Sequence, residues 1–374
     1  MSTELVIGKQ NSNISRSPYG PLGPFASPNQ GRSLLSNDEF GRVLSFLGPI
    51  DLARSEIVCR NWDRFINYTG QWRQQCKTLL GVSTNEDLEK YRPKSPSSKG
   101  SLQMLVSSMI DGSVYESYIG KIGPVPRIPK EISLTRWNEA DPCDPTKKIG
   151  TEYVWMYRPS HIEISVPRNS PLYLDGPDDA NNPEAPRLIE RTPEKAEGLL
   201  IRLAKKAMPV IKLKVPVTIN NIEQLFKRPK IGNPSKYDLV WDKIVEQHGN
   251  KRIVAGWTCI KKEVIGRNLT YVQQLALANE KGVVPSDLAT RILANCWGHV
   301  RSGEANVYPD GRNPLTLART STLTRCSQGN AWPTDCGAGG PSGLGVYSSD
   351  EGLIGFDLVG VGVALPAEVE AIGP

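Results

Sequence analysis

LSNDEFGRVLSFLGPIDL, residues 35–52, is the stretch that decides how the N-terminal part of the chain folds. Ser36 and Glu39 have the spacing of a capping box, in which the hydroxyl takes an orphan helix N–H and the carboxylate reaches back. Behind them Phe40, Val43, Leu44 and Leu47 recur on one helical stripe, and Gly48-Pro49 ends it. Asp51 is placed to cap a second short helix carrying Leu52, Ile57 and Val58. A third would carry Trp62, Phe65 and Ile66, with Trp72 beyond it. Three such helices bury too little apolar surface to stand robustly alone. Their surplus of apolar residues predicts a surface that a partner covers.

VCRNW at residues 58–62 and Trp72 complete a series with a known likeness. Leu35 and Asp38, then Val43, Leu44 and Leu47, then Pro49, Asp51 and Leu52, then Val58, Cys59 and Trp62, then Trp72 stand in the order and spacing of an F-box, which this segment resembles. Two positions depart from the pattern. Ser36 stands where the family has Pro, and Glu39 where it has an apolar residue, both where the first turn meets its partner. The resemblance implies docking on the Skp adaptor of an SCF ubiquitin ligase and, through it, association with a cullin. It implies Leu35, Leu44, Pro49, Leu52, Val58 and Trp62 as partner contacts, with Leu47 and Phe65 in the module's own small core. Trp62 would be the anchor, since aromatic side chains dominate such interfaces.

Outward from this module, residues 1–33 are rich in Ser, Asn, Gly and Pro and read as a disordered tail. The F-box-like segment runs over 34–80, and 81–149 reads as a linker with one helix near 101–119 and a Pro-punctuated crossing from Pro124 to Pro145. A second domain is expected over 150–374. Strands are predicted at 153–157, 162–166, 211–219, 253–260, 343–347 and 355–363, and helices at 194–208, 235–248, 271–281 and 286–300. Pro216 places the 211–219 strand at an edge, and Asn220 is placed to cap a short helix through Phe226. Elements alternate without a regular βαβ beat, so the expected class is α+β. The segments at 150–157, 256–268 and 323–326 are similar to a region that follows the F-box in proteins of chlamydia-like bacteria living in amoebae. That likeness implies a bacterial effector acting on a host's ubiquitin machinery.

Composition narrows the function. The chain has 374 residues, a net charge of +6 and 39% apolar residues, enough for a substantial core. Its basic stretches, Lys205-Lys206 and Lys227-Arg228-Pro229-Lys230, are too short for a nucleic-acid face and read as solvated surface. Seven scattered Cys predict reduced thiols, and with no signal-peptide pattern at Met1 and no long apolar run the expectation is a soluble, cytoplasmic chain with no membrane contact.

Catalytic readings are weak. Cys296 and His299 have half the spacing of a zinc site that Cys326 and Cys336 would have to complete. Yet Cys296 shares a helical face with Ile292, Leu293 and Val300, as a core residue would. Cys259 as nucleophile would need His161, His248 or His299 beside it. Glu163, Glu223 and Glu246 show no pairing, and the Gly-rich run after Gly337 lacks the Lys-Ser/Thr of a phosphate loop. The aromatics Tyr153, Trp155, Tyr157 and Trp257 read as core rather than as a base-stacking platform. The expectation is therefore a non-catalytic adaptor with no cofactor and no metal, holding an unknown protein target on 150–374. The alternative is an enzyme or zinc-binding module in 150–374 that the F-box recruits to the ligase.

Overall fold

YVWMY at residues 153–157 is apolar at every position, the pattern of a strand covered on both faces. The computed structural model describes residues 37–47, 49–57, 63, 65–67, 69–167, 170–175, 186–190, 210–235, 237–240, 242–302, 317–325, 331–338, 344–348 and 359–367. The fold is mixed α+β. Helices α1 (Asn37–Ser45) and α2 (Pro49–Glu56) lead to α3 (Gln71–Leu80), α4 (Asn85–Tyr91) and α5 (Ser98–Ser107). Strand β1 (Met109–Ile110), helix α6 (Gly112–Tyr118), the hairpin β2 (Ala140–Asp141) and β3 (Asp144–Lys148), and the single turn α7 (Ile149–Glu152) follow. Then come β4 (Tyr153–Arg158), β5 (His161–Pro167), β6 (Leu172–Asp175), β7 (Arg187–Glu190), β8 (Val210–Pro216), α8 (Ile219–Lys227), β9 (Tyr237–Val240), α9 (Asp242–His248) and β10 (Gly256–Lys261). The last elements are α10 (Tyr271–Glu280), β11 (Val284–Pro285), α11 (Leu288–Ser302), β12 (Leu317–Arg325), β13 (Ala331–Ala338), β14 (Leu344–Ser348), β15 (Val359–Val361) and β16 (Val363–Leu365).

The central sheet has the order β1-β4-β10-β16-β11. Strand β4 runs antiparallel to β10 from Gly256↔Arg158 to Lys261↔Tyr153, and parallel to β1. Side chains alternate between two cores. Val154, Met156 and Ile260 face α11 and α8, where Trp297 meets Tyr115 and Phe226 edge-on at ring-centroid distances of 4.8 and 5.0 Å. Tyr153, Trp155, Tyr157, Trp257 and Cys259 face the other way. Their indoles anchor the Pro-punctuated crossing: Trp155 Nε1 donates to the Ile132 carbonyl at 2.5 Å and Trp257 Nε1 to that of Pro126 at 2.7 Å. A second sheet, β15-β12-β13-β14-β9, is linked to the first where β15 passes into β16 through Gly362.

Several expectations need correction. Residues 81–149, read as a linker, carry helices α4 to α6, strand β1 and the β2–β3 hairpin. Strand β1 is an edge of the central sheet, and Leu102, Leu105, Ile132 and Trp137 share one core with Phe40, Leu44, Leu52 and Trp72 of the N-terminal helices and with Trp155 of β4. The reason is size: three short helices cannot enclose their own apolar surface, so they borrow the sheet. The single helix expected near 101–119 is interrupted where Met109 and Ile110 pair with Trp155 and Met156, and Asp111 caps the restart by accepting from the N–H groups of Ser113 and Val114. Residues 237–240 are a strand beside β14, with only 242–248 helical. Thr218, one residue ahead of the helix, caps α8 by accepting from Asn221 N at 3.2 Å; Asn220 lies inside it. Among the described residues, Pro216 closes a strand, β8, that pairs with β5 and no other strand. The 1–33 tail and the 194–208 helix lie outside the described residues.

Gly150 tests how rigid the shared core is. A Cβ there would stand 2.0 Å from Cδ2 and Cε2 of Trp137, which is 4% exposed and held through Nε1 to Ser108 Oγ at 3.2 Å. Gly150→Ala is expected to cost about 1–3 kcal/mol, the usual penalty of overpacking. Urea unfolding read by tryptophan fluorescence checks it, and an unchanged midpoint would mean that the ring gives way freely.

Candidate docking face on the N-terminal helices

Helix α1 divides its apolar residues between two sides. Phe40 and Leu44, four apart, point into the core, and the Phe40 ring meets that of Phe65 at 4.9 Å. Val43 and Phe46, three apart, point outward with 49% and 87% of their surface exposed. After α2, whose Leu52 is buried, Ile57 is 71% exposed. These three side chains have no covering element among the described residues.

The inner side is held by polar contacts to α3. Gln71 Nε2 donates to the Gly41 carbonyl at 3.3 Å, and Gln75 Nε2 to that of Leu47 at 2.6 Å, which fixes the end of α1 against α3. Glu56 closes α2: one oxygen accepts from Trp72 Nε1 at 2.8 Å, and the other pairs with Lys99 of α5, whose ammonium also lies 5.3 Å from the centre of the Trp72 ring. An exposed pair contributes little, but the Glu56 side chain is only 7% exposed, so its two partners pin α2 to α3 and α5.

The residues implied as partner contacts are placed unevenly. Leu44 and Leu52 are 1% and 0% exposed and belong to the protein's own core, so as built they support the face from behind. Leu47 and Phe65 pack against the same core. Pro49 opens α2. Leu35, Val58 and Trp62 lie outside the described residues. The exposed residue that sequence reading passed over is Phe46. Its signal was its position: it falls off the Phe40–Leu44–Leu47 seam yet is aromatic and next to the Gly48-Pro49 stop.

The catalytic candidates are spread apart. Cys259 is fully buried in β10, and burial pushes its thiol well above the usual range, which leaves a poor nucleophile. Cys296 is enclosed in the α11 core, whereas His299 Nε2 lies 3.0 Å from the Pro234 carbonyl. Cys326 lies outside the described residues. No group of three or more His, Cys, Asp or Glu able to hold a metal ion occurs among the described residues. Of the basic stretch at 227–230, Arg228 pairs with Glu190 at 2.8 Å and Lys230 donates to the Glu116 carbonyl at 2.8 Å. No helix among the described residues is long and apolar enough to cross a membrane. No family model, no curated protein and no solved structure matches the chain.

Cys76 reports whether the module stays seated. It is buried in α3, and desolvation pushes its thiol up to about 11, opposed only by the charge of Arg92. The thiolate is the reactive form, so native protein near neutral pH should leave Cys76 unlabelled by iodoacetamide while guanidinium-unfolded protein labels it fully. Peptide mass mapping reads this, and rapid labelling of native Cys76 would mean that the N-terminal helices lift off the sheet.

Proposed function

We propose that residues 34–80 act as an F-box that docks the chain on the Skp subunit of an SCF ubiquitin ligase, and that the mixed α+β remainder holds a protein target for ubiquitination. The observation that carries this reading is the ordered series Leu35, Leu44, Leu47, Pro49, Leu52, Val58, Trp62 and Trp72 at F-box spacing. The exposure of Val43, Phe46 and Ile57 supports it, because apolar side chains left in water beside a braced helical scaffold are what a helix-on-helix interface would cover. On this reading Phe46, Val43 and Ile57 join the contacts that the resemblance implies at Leu35, Pro49, Val58 and Trp62, with Leu44 and Leu52 as the backing. No side chain of such an adaptor takes part in transfer chemistry, which belongs to other subunits of the ligase. As a bacterial effector, the chain would use this face on the Skp adaptor of its host.

A pull-down with purified Skp adaptor tests it. Wild-type protein should bind saturably. Val43→Asp with Phe46→Asp, both at exposed positions and so compatible with folding, should weaken binding by on the order of tenfold or more, as loss of a central aromatic contact does. Circular dichroism verifies the fold of the variant. Absence of wild-type binding by folded protein would sink the adaptor reading.

A further inference from the structure

At the end of strands β4 and β10 an amine and a carboxylate are sealed together. Lys261 Nζ, on a side chain 4% exposed, meets Oδ2 of Asp141, which is 0% exposed. The other oxygen, Oδ1, accepts from the Cys143 N–H at 2.9 Å and from the Tyr153 hydroxyl at 3.0 Å. A second carboxylate, Glu152, lies 3.9 Å from Lys261 Nζ, is 15% exposed, and is held from outside by Lys147 at 3.1 Å. We propose that Lys261 and Asp141 condense into an intramolecular isopeptide bond, with Glu152 carrying the proton.

The geometry supplies what amide formation needs. In the first step one proton passes from the ammonium to the Oδ2 it already contacts, which frees the nitrogen lone pair. The amine nitrogen then attacks Cγ of the carboxyl it already touches through Oδ2, without the entropy cost of bringing the two groups together. Charge develops on Oδ1, where the Cys143 amide and the Tyr153 hydroxyl already donate, an arrangement of oxyanion-hole type. Burial holds the Tyr153 phenol far above its ordinary value, so it remains a donor. Glu152 takes the second proton from the attacking nitrogen and delivers it to Oδ2. The Nζ–Cγ bond forms, the Cγ–Oδ2 bond breaks, and Oδ2 leaves as water with two of the three ammonium protons. Charge and atoms balance, Glu152 is restored, and no oxidant or cofactor enters. The bond would tie the β2–β3 hairpin to β10 across 120 residues of chain.

Intact mass of the denatured, reduced full-length protein decides the matter, followed by mapping of its proteolytic peptides. The expected result is a mass lower than that of the sequence by one water, together with a branched peptide joining the segments that contain Asp141 and Lys261. Lys261→Arg, which keeps the charge and cannot form the amide, should restore the full mass. Glu152→Gln should slow the condensation by about a hundredfold, the scale of general acid–base catalysis. Folded wild-type protein at full mass would overturn the proposal and leave a buried ion pair. A water loss without the branched peptide would overturn it too, since that is a succinimide. Should Lys261→Arg fail to fold, the wild-type mass and peptide map still decide.

Discussion

Burial of the β4–β10 pair on both faces is the constraint from which the rest of the architecture follows. A strand pair covered on one side only would leave either Trp155 and Trp257 or Val154, Met156 and Ile260 in water. A buried indole withdraws on the order of 200 Å² from solvent, so each face needs its own cover. Helices α8 and α11 supply one cover. The N-terminal helices, together with α5 and the crossing through Ile132 and Trp137, supply the other. The described N-terminal helices are therefore built into one face of the sheet, with Val43, Phe46 and Ile57 left exposed on their outer side.

Polar groups inside this packing fix its register. Arg291 of α11 is 1% exposed and donates through Nη1 to the Lys261 carbonyl at 3.1 Å. It lies so close to Gly362 that a Cβ there would stand 2.3 Å from Nη2, so a larger residue at 362 would displace the guanidinium. On the opposite side of the sheet's end, Asp141, Tyr153 and Lys261 form a network with every oxygen of the carboxylate engaged. Removing one partner from a buried network of this kind leaves the other charge uncompensated, at a cost of about 3–5 kcal/mol. Through Lys261 these contacts join the hairpin, the sheet and α11.

How much was legible beforehand differed between parts of the chain. Strands with a strong local pattern were readable: 153–157 and 162–166 lie within β4 and β5, and the 271–281 and 286–300 helices correspond closely to α10 and α11. The misreadings occurred where a distant pairing outweighed local spacing. Tyr237 to Val240 carry helical spacing, yet they pair with β14 about a hundred residues away. Met109 and Ile110 interrupt a helical run for the same reason. In the candidate site, the apolar stripe of α1 was visible as a stripe, but its division into a buried pair, Phe40 and Leu44, and an exposed pair, Val43 and Phe46, was not. Periodicity says which residues share a side of a helix, and it does not say what that side meets.

The amino-acid sequence by itself determined the local grammar: the stop of the first helix ahead of Pro49, the all-apolar strand at 153–157 and the α+β class. These follow from backbone preferences and short-range periodicity, which act within a few turns of chain. Only the tertiary structure decided that residues 81–149 belong to the core, that Leu44 and Leu52 face inward while Phe46 faces water, and that Asp141 meets Lys261. Each of those outcomes depends on which surface closes over which, and that is set by the burial of the whole sheet and not by any segment taken alone.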